Sequence, residues 1–117
     1  AYRLQHGLHY VHPFDDPHVI AGQGTVGLEI LADSPEVEAI SVCAGGGGLL
    51  AGVAVAAKAH NPDIRVIGVE PEGAPAVTRS LAAGGPVVLE KIATVADGLS
   101  APFGAPVSLD LIQRHVD

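Results

Sequence analysis

Two short, nearly continuous apolar runs, Ala39–Cys43 and Ile64–Val69, organise the hydrophobic pattern of this chain. Runs of that length without polar alternation predict strands buried in a parallel sheet. Between them, Leu49–His60 is apolar on nearly every side, which predicts a buried helix ended by Asn61-Pro62. Upstream, Thr25–Ala32 has helical spacing, with Val26, Ile30 and Leu31 on one face and Leu28 alongside, and Ser34-Pro35 stops it. Downstream, Pro75–Ala83 predicts a shorter helix closed by Gly84-Gly85-Pro86, and Val87–Leu89 an edge strand. Ser108–His115 predicts a last helix with Ser108 as N-cap. Leu8–Val11 suits a short strand, while residues 12–17 and 96–100 read as loops, rich in Pro, Asp and Gly.

Strand, helix, strand, helix in this rhythm implies right-handed βαβ units, hence an α/β fold with a parallel sheet flanked by helices. The 117 residues fit one domain or part of one, and 48% hydrophobic content argues against disorder. With two Tyr, two Phe and no Trp, small aliphatic residues and Gly must fill the core. A net charge of −7 without a basic stripe excludes nucleic acid as the natural partner. The longest apolar run, Leu49–Ala57, is broken by Gly52 and too short to span a bilayer. No signal-peptide pattern opens the sequence. The single Cys43 excludes an internal disulfide and fits a reducing cytoplasm. The chain holds no Met and begins at Ala1, so it reads as a fragment cut at both ends.

The strongest chemical signal is Gly45-Gly46-Gly47-Gly48 between a strand and a helix. Four glycines cost backbone entropy, so something must require them. Without Cβ atoms, successive N–H groups can form an anion nest, and the helix that follows adds the positive end of its dipole. Together these predict a phosphate site at the C-terminal edge of the sheet. No Gly-Lys-Ser/Thr follows, so the nucleotide P-loop pattern fails. Gly46, Gly48 and Ala51 loosely match a dinucleotide fingerprint, with Glu70 near the place of a ribose-binding acid. A fragment of a nicotinamide-dependent oxidoreductase, or a phosphate-binding module without catalysis, is therefore a rival reading.

Five segments occur in order: residues 12–17 (His-Pro-Phe-Asp-Asp-Pro), 20–25 (Ile-Ala-Gly-Gln-Gly-Thr), 45–49 (four Gly and Leu), 68–71 (Gly-Val-Glu-Pro) and 96–99 (Ala-Asp-Gly-Leu). Together they closely resemble the middle of the threonine dehydratase and serine racemase family, fold-type II pyridoxal-phosphate (PLP) enzymes. The resemblance covers nearly all of residues 1–117 and implies part of the larger, PLP-binding domain. It implies that Gly45, Gly46, Gly47, Gly48 and Leu49 hold the PLP phosphate and that Gly98 lies near the pyridine ring. It further implies that a loop at Gly22–Thr25 supports the site and that Asp16 stands near the substrate. A divalent-cation site would use Glu70 and the carbonyl of Ala74, but Ala76 stands where a further acidic ligand is expected.

The family's Schiff-base lysine falls before Ala1, and neither Lys58 nor Lys91 matches its motif. The implied reaction converts threonine or serine to a 2-oxo acid and ammonia, in a cytoplasmic, homo-oligomeric parent enzyme, with this chain inactive alone. Other polar residues suggest less. His6, His9 and His12 recur every three residues, but Pro13 and the apolar residues between them argue against a metal cluster. Cys43 reads as a core thiol and Asp97 as a loop-fixing carboxylate. Glu70 is either a cation ligand or a solvent-facing carboxylate at a strand end.

Overall fold

The structure, a computed structural model, describes residues 2–117. Its elements run α1 (Tyr2–Gln5), α2 (Pro17–Asp33), β1 (Ala39–Cys43), α3 (Gly48–His60), β2 (Arg65–Val69), α4 (Ala76–Ala83), a 3₁₀ turn (Asp97–Leu99) and α5 (Pro106–His115). Strands β1 and β2 pair in parallel, from Ala39 opposite Arg65 to Cys43 opposite Val69. The α/β class and the β1–α3–β2 crossover therefore match the expectation. Helix α3 lies at the centre. Its Leu50, Val53, Ala54 and Ala57 join Ile40, Val42 and Val66 of the sheet, Ile20 and Leu31 of α2, and Leu109 and Ile112 of α5 in one buried core.

Burial along β1 alternates, with Ile40 and Val42 inside and Ala39, Ser41 and Cys43 exposed. The strand is thus covered by helices on one face, not two, and Cys43 is an exposed thiol, not a core one. Helix α2 begins eight residues before the predicted Thr25. Asp16 caps it and Pro17 sits in its first turn, both favourable there. Residues 22–25, expected as a loop, are helical, with the Thr25 hydroxyl bonded back to the Gly22 carbonyl at 2.8 Å. Glycines hid this helix because they lower helix propensity, yet here they permit contact. A Cβ on Gly24 would stand 3.1 Å from the Gly52 carbonyl oxygen, and one on Gly27 3.2 Å from the Ala56 Cβ. The two helices meet through those glycines, so α2 turns Val26 and Leu28 to the surface and keeps Leu31 buried.

Three further expectations change. Leu8–Val11 is not a strand, and a single helical turn, α1, precedes it. Val87–Leu89 makes only one antiparallel bridge, Val88 to Phe103, outside the sheet. Helix α5 starts at Pro106, so Ser108 lies inside it, fully buried, instead of capping it. Helix α4 ends as predicted at Gly84, whose φ of 72° is the left-handed conformation open to glycine. No helix among the described residues is long and apolar enough to cross a membrane.

The α2–α3 contact yields a direct test. A Cβ at Gly52 would overlap the Ile20 carbonyl oxygen and stand 2.7 Å from the Gly24 nitrogen, both rigid backbone atoms. Gly52→Ala is therefore expected to lower unfolding free energy by about 2 kcal/mol in urea titrations, the usual scale of overpacking. A change below about 0.5 kcal/mol would show that the helices are not in backbone contact.

Candidate functional site

The chain leaves β1 at Cys43, passes through Ala44 and the four glycines, and enters α3 at Gly48. The Ala44 N–H is satisfied by the Val69 carbonyl at 2.9 Å, which fixes the loop's start to the end of β2. From Gly45 to Leu50 no backbone N–H donates to an acceptor among the described residues; the next to do so is Ala51, to the Gly47 carbonyl at 2.9 Å. These six amides lie in residues that are buried or half-buried. The last three belong to the first turn of α3, where a helix cannot satisfy its own donors. Gly47, the N-cap residue, has φ 96° and no side chain to offer as a cap. Half-buried N–H groups without acceptors are costly. A row of them at a helix N-terminus fits an anion with several oxygens.

Three segments enclose the loop. Gly45 abuts the 3₁₀ turn, since a Cβ there would stand 3.2 Å from the Leu99 Cα and 3.4 Å from the Gly98 carbonyl oxygen. The structure thus brings Gly98 to the glycine loop. Phe14 lies against Gly46 and Gly48, and a Cβ on Gly46 would overlap its ring. Gly47 faces α5, at 3.2 Å from the Ser108 Cβ and 2.9 Å from the Ile112 Cδ1 for a Cβ built on it. Packing therefore demands glycine at 46, 47 and 48 in addition to any ligand. An apolar groove of about 380 Å³ between α2, α3 and α5, lined by Ile20, Gly24, Val55 and Leu111 among others, shares no residue with this loop.

The candidate acidic residues have structural partners. The Asp16 carboxylate accepts from the His18 N–H at 2.8 Å and the Val19 N–H at 3.4 Å, capping α2. The His18 backbone bond is the main cause holding the Asp16 carboxyl below the usual aspartate value. Its neighbour Asp15 accepts from the Val107 N–H at 3.0 Å, at the start of α5. Glu70 commits both oxygens to α4: one takes the Val77 N–H at 2.7 Å, the other the Thr78 N–H at 2.8 Å and the Thr78 hydroxyl at 2.6 Å. It is neither a solvent-facing carboxylate nor open to a ribose. The Ala74 carbonyl accepts the Ala76 N–H at 3.0 Å. Among the described residues no three His, Cys, Asp or Glu side chains gather as a cation would require. Lys58 bonds the Asp117 carboxylate at 2.8 Å and the Pro62 carbonyl at 3.3 Å, at the far end of α3 from the glycines.

Sequence reasoning missed Phe14, Asp15 and Ser108. The doubled aspartate at 15–16 was a visible signal, since one carboxylate caps one helix. Ser108, a small polar residue on the inner face of an otherwise amphipathic helix, was another.

The whole chain, residues 1–117, matches the family model described as "Pyridoxal-phosphate dependent enzyme". It is 47% identical over 119 residues to an L-threonine ammonia-lyase of Thermotoga maritima, covering 100% of this chain and 30% of that protein. It is 49% identical to a serine racemase of Oryza sativa subsp. indica, covering 91% of this chain and 32% of that one. Among solved structures, the processed form of threonine deaminase isoform 2 from Solanum lycopersicum superposes with a TM-score of 0.94 at 41% identity. That match spans 99% of this chain and 34% of the tomato protein. The chain thus spans about a third of the length of these relatives.

Two outcomes follow from the carboxylates. An NMR titration of the Asp16 carboxyl carbon is expected to find its midpoint below the ordinary 3.8. A lowered folded value means the cap is complete above the unfolded value and is lost as pH falls through the folded one; a midpoint above 3.8 would contradict the cap. Glu70→Ala is expected to cost about 1 kcal/mol, as for loss of a helix cap. Unfolding with EDTA, magnesium or calcium should leave that difference unchanged; a midpoint that rises with cation in the wild type alone would restore Glu70 as a ligand.

Proposed function

The chain belongs to the pyridoxal-phosphate dependent enzyme family, and on that premise we propose that it forms the phosphate-binding core of an amino-acid dehydratase. The reaction removes the β-hydroxyl and α-amino groups of threonine or serine and releases a 2-oxo acid and ammonia. Residues 1–117 are part of the larger, cofactor-binding domain. The setting is cytoplasmic, in keeping with a lone thiol, and the parent enzyme is a homo-oligomer.

The observation that carries this reading is the row of unpartnered amides from Gly45 to Leu50. The amides of Gly45, Gly46, Gly47, Gly48 and Leu49 hold the cofactor phosphate, aided by the positive end of α3. Gly98 lies beside the ring, a role supported by the contact of its turn with Gly45. When bound, the cofactor supplies an electron-withdrawing ring that stabilises negative charge at the substrate α-carbon. The chain's own residues bind and orient. Phe14 closes one side of the loop and α5 backs it. No residue in this chain is assigned a proton-transfer step: Asp16 is spent on capping α2, and Lys58 on Asp117. The reactive lysine belongs to sequence outside residues 1–117. Racemisation is the second reading, favoured by the identity with a serine racemase.

The full-length protein, loaded with PLP, is expected to release 2-oxo acid and ammonia in equal amounts from L-threonine and L-serine. Formation of D-serine without 2-oxo acid would select racemisation. Absence of both would overturn the proposal.

A further inference from the structure

The phosphate loop is held from outside by one buried hydroxyl. The Ser108 hydroxyl, fully buried in α5, donates a short hydrogen bond to the Phe14 carbonyl. One residue on, the Asp15 carboxylate accepts the Val107 N–H at 3.0 Å. Residues 14–15 and 107–108 are thus joined by two bonds, both donated from α5, across more than ninety residues of sequence. Between these bonds sits the glycine loop. Phe14 covers Gly46 and Gly48, and Ser108 and Ile112 back Gly47. The loop has no side chains of its own to hold it, and among the described residues only the flanking Ala44 and Ala51 amides find a protein acceptor. Its shape is therefore set by the walls of this clamp.

We propose that Ser108 and Asp15 are positioning residues for the phosphate site, acting through Phe14 to keep the Gly45–Gly48 amides in the geometry that receives a phosphate. This rests on the reading of the loop as the cofactor-phosphate site. Neither residue touches the phosphate itself. Removing the Ser108 hydroxyl frees the Phe14 carbonyl, lets residues 12–17 move from Gly46 and Gly48, and loosens the amide row. The loss falls on the phosphate end of the cofactor and spares the ring end.

That asymmetry gives a readout that general destabilisation would not produce. Apparent affinities of the full-length protein for PLP and for pyridoxal, which lacks the phosphate, are measured by cofactor fluorescence for wild type, Ser108→Ala, Ser108→Thr and Asp15→Ala. The wild type is expected to prefer PLP strongly. Ser108→Ala should weaken PLP binding about tenfold, a scale set by one buried hydrogen bond, with pyridoxal binding unchanged. Ser108→Thr, which keeps the hydroxyl, should restore the preference. Asp15→Ala should reproduce the selective loss and serves alone if Ser108→Ala does not fold. Equal losses for PLP and pyridoxal, or no loss of either in a variant that folds, would overturn the inference. A wild type that binds pyridoxal as tightly as PLP would instead overturn the reading of the loop on which it rests.

Discussion

Backbone N–H groups without acceptors, held half-buried at the start of a helix, are the constraint around which this structure is arranged. From Gly45 to Leu50 the chain neither continues β1 nor has yet closed the hydrogen bonds of α3. Each such group costs about 1–3 kcal/mol when it lacks a partner away from water. Proteins seldom carry several in sequence unless something binds them. Here the helix dipole and the amide row act in the same direction, toward negative charge. Glycine at these positions serves two requirements at once: a backbone that can be reached by a ligand, and walls that can approach within van der Waals distance.

Those walls come from the full length of the chain. Phe14 precedes α2, Leu99 follows α4, and Ile112 lies in α5, yet all three meet the same four residues. Three other helix N-termini take carboxylates: α2 from its own cap Asp16, α5 from Asp15 and α4 from Glu70. The N-terminus of α3 alone among these four takes none, because Gly47 caps it without a side chain. Acidic residues thus neutralise the neighbouring helix ends and leave one positive end open. A chain of net charge −7 thus still carries one helix N-terminus without a carboxylate on it.

Much of this was legible in sequence. The two apolar runs gave both strands to within a residue, and the tetraglycine lies, as read, between strand and helix. The match of the whole chain to the family model agrees with the order of its five short motifs. The failures have definite physical causes. Helix α2 was read eight residues short because Gly22 and Gly24 look like a loop until the partner helix is present against Gly24. Two-sided burial of β1 was expected, but helices cover only the Ile40 and Val42 face of it. Ser108 was assigned to a helix cap, a local role, when its hydroxyl is bonded to Phe14 from the other end of the sequence. Contacts of that range leave no periodicity to read. Glu70 looked available because nothing in its own segment shows that α4 folds back onto it.

The central claim concerns six amides, so those amides should be observed directly. In ¹H–¹⁵N spectra of the full-length protein without cofactor, titration with inorganic phosphate is expected to move the resonances of Gly45 to Leu50 downfield together, as N–H groups gain charged acceptors. Ala51, already bonded to the Gly47 carbonyl, should move less. If phosphate leaves residues 45–50 in place, or shifts another part of the protein in their stead, the amide row is not an anion site and the account fails.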